Sequence, residues 1–264
     1  MFAEPDLLVS RLLFVGLVIE AVEALRLRRA YADGGLFSRA MLGIVVGGVR
    51  PELRLGATHG GMRAVTVAAL VQAAAAGIVI GVGTGVPAGM AAAIVCLVAN
   101  GYLRTRRQIG GSGAEQLTFI VLVAFGLVVL AGAGEGARRL GDGFVAAQLA
   151  LAYVASGAAK ALSPTWRRGE AMAGIFATEA YGTSRQAAFL AARPWLDRLL
   201  CWATIGWEVT FPLALFAPVP VTVAILAGGV LFHAACAVLM GLNRFFWAFC
   251  GCYPAVWTTS MLLR

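Results

Sequence analysis

Lys160 is the only lysine in a chain whose other basic residues are all arginine, and it closes the apolar run LALAYVASGAAKAL just before Ser163-Pro164. Burial can strip a lysine of its proton and make it a base, whereas an arginine stays charged. A lysine at a helix end also suits a plainer reading, its aliphatic stem lying along the helix and its ammonium among lipid headgroups. Glu208, between Trp207 and Pro212 in ATIGWEVTFPL, stands where a lone carboxylate is costly unless it is protonated or paired. Its natural partners by charge are Lys160, His233 or an arginine. His233 lies in GGVLFHAACAVLM, too apolar to solvate an imidazolium, so it needs a hydrogen-bond partner. That partner is a functional group or simply a neighbouring backbone carbonyl. Glu115 and Gln116 follow a GGSG run, where a carboxylate either joins the site or caps the next helix.

Other residues carry weaker signals. Cys250-Gly-Cys252 has one intervening residue instead of the two usual in redox pairs, so all five cysteines read as small core residues. His59 sits in an arginine-rich loop and reads as solvated. Gly110–Gly113 lacks the lysine and threonine context of a phosphate-binding loop, and no metal-ligand spacing occurs. Glu179-Ala-Tyr181 and Asn243-Arg244 suit interface anchors.

The elements that position these residues are transmembrane helices. The 264 residues are 60% hydrophobic and 13% charged, with a mean hydropathy of +0.84. Soluble domains are about 45–50% apolar and about 25% charged. The expected fold class is therefore an all-α polytopic membrane protein, a single domain over 1–264. The net charge of +8 then reflects loop arginines and not a nucleic-acid surface. The acidic start MFAEPD argues against a cleavable leader. A crossing needs about 20 apolar residues, which places spans near 7–25, 62–80, 86–103, 115–133, 144–162, 199–216, 221–242 and 245–263. About eight crossings result, with one or two amphipathic interfacial helices: residues 36–49, too short to cross, and a segment opening near Trp166. Arg11, Glu20 and Glu23 in the first span face either a bundle interior or the membrane edge. Abundant Gly and Ala suit close helix packing. Most arginines fall in 26–63, 104–107, 160–198 and 243–245, which puts the Lys160 loop on the cytoplasmic side and both termini outside, an assignment that reverses if residues 36–49 cross.

Read together, these segments resemble a known family. The run Y-x-x-S-G-x-x-K-x-L-x-P-x-W-x-x-G-x-A at 153–171 is similar to the segment shared by HTTM (horizontally transferred transmembrane) proteins. Their relatives include the membrane domain of vitamin K-dependent gamma-carboxylase. F-H-x-x-x-A-x-x-M-G-L-N-x-F at 232–245, Tyr253-Pro254, and N-x-Y-L-R with G-G-S-G-A-E-Q-L at 100–104 and 110–117 look like further parts of it.

The resemblance implies an enzyme core that uses a lipid-soluble cofactor, a reduced naphthoquinone of the menaquinol or vitamin K hydroquinone type. Lys160 would deprotonate the quinol, with His233, Glu208 and Glu115 as the other catalytic groups. Gln116, Trp166, Tyr153 and Asn243 would contact the cofactor. The partners implied are the lipid bilayer, the quinone, and a peptide substrate or partner membrane protein; no nucleic acid is expected. The chain departs from the carboxylase in having Glu115-Gln116 where that enzyme has a histidine. It also has no counterpart of the soluble peptide-binding domain within its 264 residues, and its arginines put Lys160 on the opposite side of the membrane. Its architecture is closer to small bacterial relatives of the SdpB type, associated with maturation of secreted peptides, which implies the bacterial cell (inner) membrane. The alternative is a non-catalytic membrane subunit of a peptide-maturation, transport or respiratory assembly; a third reading, from distant DoxX-like proteins, shares the quinone but not the reaction.

Overall fold

A computed structural model describes residues 5–38, 41, 61–107 and 111–264. The expected interfacial segment 36–49, His59 and Gly110 lie largely or wholly outside the described residues. The described secondary structure is helical, in two compact units, Met1–Gly141 and Asp142–Arg264.

In the first unit, α1 (Pro5–Arg26) packs on α2 (Met62–Val82), α2 on α3 (Pro87–Arg106), and α3 on α4 (Gly113–Leu130). The buried positions of α2, Val65, Ala69, Gln72, Ala76 and Val79, alternate by four and three residues. That spacing is a straight seam, and its small side chains admit close approach to Leu13, Phe14, Leu17 and Ala21 of α1. Polar residues bridge it: Gln72 Nε2 donates to Leu17 O at 3.0 Å, and Asn100 Nδ2 to Glu20 Oε2 at 2.9 Å. Of the two readings of the first-span charges, Glu20 thus takes the interior one, while Arg11 is exposed.

The second unit begins inside α5 (Glu135–Leu162) and continues through α6 (Pro164–Arg168), α7 (Ala171–Phe176), α8 (Ser184–Ala191) and α9 (Pro194–Thr210). A 3₁₀ turn (Phe211–Leu215) leads to α10 (Val219–Met240), α11 (Asn243–Cys250) and α12 (Tyr253–Leu262). At 28 residues α5 is ~42 Å long. It exceeds a hydrocarbon core of about 30 Å, so its charged first turns suit the region beyond the lipid tails.

Among the described residues, five helices are long and apolar enough to cross a membrane, α2, α3, α4, α5 and α10, against the eight expected. Each of the other three departs for a physical reason. α1 has the length, but Arg11, Glu20 and Glu23 interrupt its apolar run. α9 stops at 17 residues because Pro212 lacks an amide hydrogen, and the chain tightens into a 3₁₀ turn. The last expected span is two short helices, broken at Gly251-Cys252 and restarted by Pro254 in the first turn of α12.

The amphipathic helix expected to open near Trp166 is also corrected, to three short helices, α6 to α8. Pro164 starts α6 and Gly169 ends it in the left-handed region (φ +76°). A Cβ at Gly169 would also stand 2.5 Å from Arg198 Cα, so both conformation and space demand glycine there.

Candidate functional site

The site grows from one face of α5. Tyr153, Ser156 and Lys160 follow each other at three- and four-residue spacing, so all three point the same way. Opposite them α9 presents Glu208. The two helices come unusually close at Gly157, where a Cβ would lie 2.9 Å from Val209 Cγ2 and 3.0 Å from Glu208 Cβ. That approach brings Lys160 Nζ to 2.7 Å from Glu208 Oε2 and 2.9 Å from Oε1. Nζ also donates to Ser156 Oγ, and Ser156 Oγ donates to Glu208 Oε1 at 3.3 Å. All three ammonium hydrogens are thereby engaged. The Glu208 side chain is 5% exposed and that of Lys160 19%, so this is a partly dehydrated ion pair. The Trp166 ring lies 5.2 Å from Nζ, within cation–π range.

A second polar chain adjoins the pair. Tyr153 Oη is 2.7 Å from His233 Nε2 and 2.8 Å from Tyr253 Oη. Aromatic rings fix their orientation: Phe249 stacks on His233 at 4.7 Å, and Trp207 meets Tyr153 edge-on at 4.8 Å. Trp207 is itself held by donation from Nε1 to Ile225 O. His233 is buried, and its Nδ1 has no hydrogen-bond partner among the described residues.

Ser156, Lys160 and Glu208, with Tyr153 and His233, line one cavity of about 210 Å³, walled elsewhere mainly by apolar and aromatic side chains. Met172 and Ile175 of α7, with Trp166 of α6, supply one wall. α9 pins that wall in place. Asp197 accepts from the Met172 and Ala173 amides at 3.1 Å each, capping the first turn of α7. Arg198 Nε and Trp202 Nε1 donate to the carbonyls of Arg168 and Arg167 at the end of α6.

The structure thus brings together five of the residues singled out in the sequence: Tyr153, Lys160, Trp166, Glu208 and His233. Asn243 is exposed at the start of α11; its neighbours Leu242 and Phe245, not Asn243 itself, line the cavity. Glu115 and Gln116 belong to the first unit. There Glu115 closes a capping box with Ser112 at the start of α4 and pairs with Arg107 at 3.1 Å, while Gln116 is exposed. Arg104 also donates to the Glu115 carbonyl, so two of the arginines counted as loop charge hold this turn together.

Sequence reasoning gave no role to Ser156 or Tyr253, which entered only as letters of the family resemblance, and passed over Asp197. Ser156 was within reach, since it lies four residues before Lys160 on one helix face. Tyr253 and Asp197 act across 100 and 24–25 residues of sequence and left no local signal. The cysteines are all free, and Cys236 alone of the five lines the cavity.

Chemically, the arrangement can move a proton. A shift across the 2.7 Å contact converts ammonium and carboxylate into amine and carboxylic acid with no change in net charge. The amine so formed can take a proton from a ligand at Nζ. No protein-family model, curated protein or solved structure matches the chain.

Proposed function

We propose that the chain is an integral-membrane enzyme core of the HTTM type whose cavity takes the ring of a reduced naphthoquinone, with Lys160 as the base. The observation that carries this reading is that Lys160, Glu208 and His233 line one cavity, the lysine drawn inward by Ser156 and Glu208. A lysine serving only to anchor a helix end would extend its ammonium toward the headgroups.

The residues fit such a group. The walls are mainly aromatic and aliphatic, the two polar groups are few and convergent, and a buried nitrogen of His233 is unpartnered among the described residues. The volume of about 210 Å³ is below the ~300–1,000 Å³ of sites for drug-sized ligands, so it suits a ring system with its isoprenoid chain outside. When bound, a quinol would supply an acidic ring hydroxyl within mainly apolar walls. Glu208 holds the proton that leaves Nζ, Ser156 keeps both partners in register, and Trp166 covers the ammonium.

On this reading α1, α9 with its 3₁₀ turn, and the α11–α12 pair add to the five long helices to give eight crossings. The cytoplasmic arginines then place the Lys160 end inside a bacterial cell membrane. The substrate is a peptide or another membrane-delivered molecule.

The test is to purify the full chain from quinone-containing membranes, extract its lipids for mass spectrometry, and follow quenching of its tryptophans by menadione. Co-purified naphthoquinone and saturable quenching are expected, with Lys160→Ala and Lys160→Arg both abolishing activity of the intact system. Repeated absence of any quinone together with no saturable quenching refutes the reading and favours a non-catalytic subunit.

A further inference from the structure

We infer that His233 is the second polar anchor of the cavity: its Nδ1–H donates to a ring oxygen of the ligand, in a tautomer set by the Tyr153 hydroxyl behind it. The ligand half of this inference rests on the quinol reading; the tautomer half stands on the hydrogen-bond geometry alone.

A neutral imidazole carries one donor and one acceptor nitrogen. His233 Nε2 is committed to Tyr153 Oη, which is in turn committed to Tyr253 Oη. Three proton arrangements satisfy these contacts, the third having Nε2–H and the Tyr253 hydroxyl both donate to Tyr153 Oη and leaving two groups unmet, the Tyr153 hydrogen and the bare Nδ1. In the first, Tyr253 donates to Tyr153, Tyr153 donates to Nε2, and the hydrogen of the imidazole sits on Nδ1. In the second, Nε2–H donates to Tyr153 and Tyr153 donates to Tyr253. The second leaves both the Tyr253 hydrogen and the bare Nδ1 without partners among the described residues. The first leaves a single donor, Nδ1–H. A buried polar group left unmet costs about 1–3 kcal/mol, so the arrangement with one such group prevails over those with two. Both tyrosines and the histidine are at most 5% exposed, so water cannot readily repair the difference.

The hydrogen bond from Tyr153 holds the ring's orientation, with Phe249 stacked on it at 4.7 Å and Phe232 edge-on at 5.0 Å. Nδ1–H is therefore a fixed donor in a residue that lines the cavity. The Lys160–Glu208 pair lines the same cavity, so on this inference the space has a donor pole at His233 and a proton-accepting pole at the pair. The ligand class that matches is a flat ring with oxygens on two edges, one to accept from His233 and one to meet the pair. A hydrocarbon ring of the same size leaves the histidine donor unmet, which gives His233 a part in selecting the ligand.

The experiment uses the full chain in lipid nanodiscs with ¹⁵N-labelled histidine. The chain has only 2 histidines, so their signals separate readily. Free protein should show His233 with the proton on Nδ1, and menadione should shift that signal. Tyr153→Phe removes the hydroxyl that donates to Nε2 while keeping His233 and should give a mixture of tautomers, whereas Tyr253→Phe leaves the count of unmet groups at one against two and should keep the proton on Nδ1. Menadione affinity, read by tryptophan quenching, should fall about 5- to 10-fold in His233→Leu. His233→Asn, whose amide N–H stands near the place of Nδ1, should stay within about 2-fold of the parent, which a loss of packing alone would not produce. 2-Methylnaphthalene, lacking ring oxygens, should bind equally to parent and His233→Leu. A proton on Nε2 in the free protein, or an unchanged spectrum in Tyr153→Phe, overturns the tautomer assignment. Equal menadione affinity of parent and His233→Leu overturns the ligand contact. Menadione failing to bind the parent at all overturns the quinol reading with the ligand contact, while the spectrum of the free protein still judges the tautomer assignment.

Discussion

Replacing Lys160 by methionine keeps most of the aliphatic stem and removes the charge that faces Glu208. At 2.7 Å and an effective dielectric constant near 20, the gross attraction lost is ~6 kcal/mol. Part of that is offset, because the lysine no longer has to be dehydrated. Glu208, with a side chain 5% exposed, stays behind without its counter-ion. Breaking a buried pair in this way costs about 3–5 kcal/mol. The reverse change is milder. In Glu208→Gln the lysine keeps Ser156, is 19% exposed, and stands two residues from the end of α5, so its ammonium can swing toward water. A loss of ~1–2 kcal/mol is expected there. Lys160→Met with Glu208→Leu removes both charges, and its stability should return to within ~1–2 kcal/mol of the parent. Reversible unfolding of the purified chain by titrating SDS into mixed micelles, followed by tryptophan fluorescence, measures all four forms. If Lys160→Met costs less than Glu208→Gln, or if the double variant loses the sum of the two singles, the pair is not a coupled, dehydrated unit.

Gly157→Val should force α5 and α9 apart at the site of closest approach, costing ~1–3 kcal/mol in the same titration and weakening menadione binding. Gly157→Ala should give a smaller loss of the same sign. Asp197→Ala removes the cap from α7; hydrogen exchange over 171–176 should rise, with ~1–2 kcal/mol lost locally. Ser112→Ala should destabilise α4 by ~1 kcal/mol through its capping box and leave menadione affinity unchanged.

The membrane class was legible because composition alone exceeds what a soluble core can hold, and the five long helices follow their apolar runs to within a few residues at most ends. α5 is the exception, starting nine residues earlier than expected because Glu135–Gly143 continues the helix beyond the apolar run. Two of the other expected crossings, those containing Pro212 and Gly251, were misjudged as continuous helices. Hydropathy averages over a window, and neither the tight turn at Pro212 nor the break at Gly251 lowers it enough to register. The single amphipathic helix after Ser163 failed similarly, since one left-handed glycine ends a helix without disturbing its apolar pattern.

For the site, the sequence by itself determined the cast. Lys160, Glu208 and His233 stand out because ionisable groups in apolar runs demand partners, and Tyr153 and Ser156 share the lysine's helix face by periodicity alone. Only the tertiary structure decided who partners whom. Lys160 meets Glu208 across 48 residues because Gly157 lets two helices touch, and His233 meets Tyr153 across 80. Helix periodicity says which way a side chain points, but the distance between two helices depends on the volume of every side chain between them. That quantity belongs to the packed bundle and to no single stretch of chain.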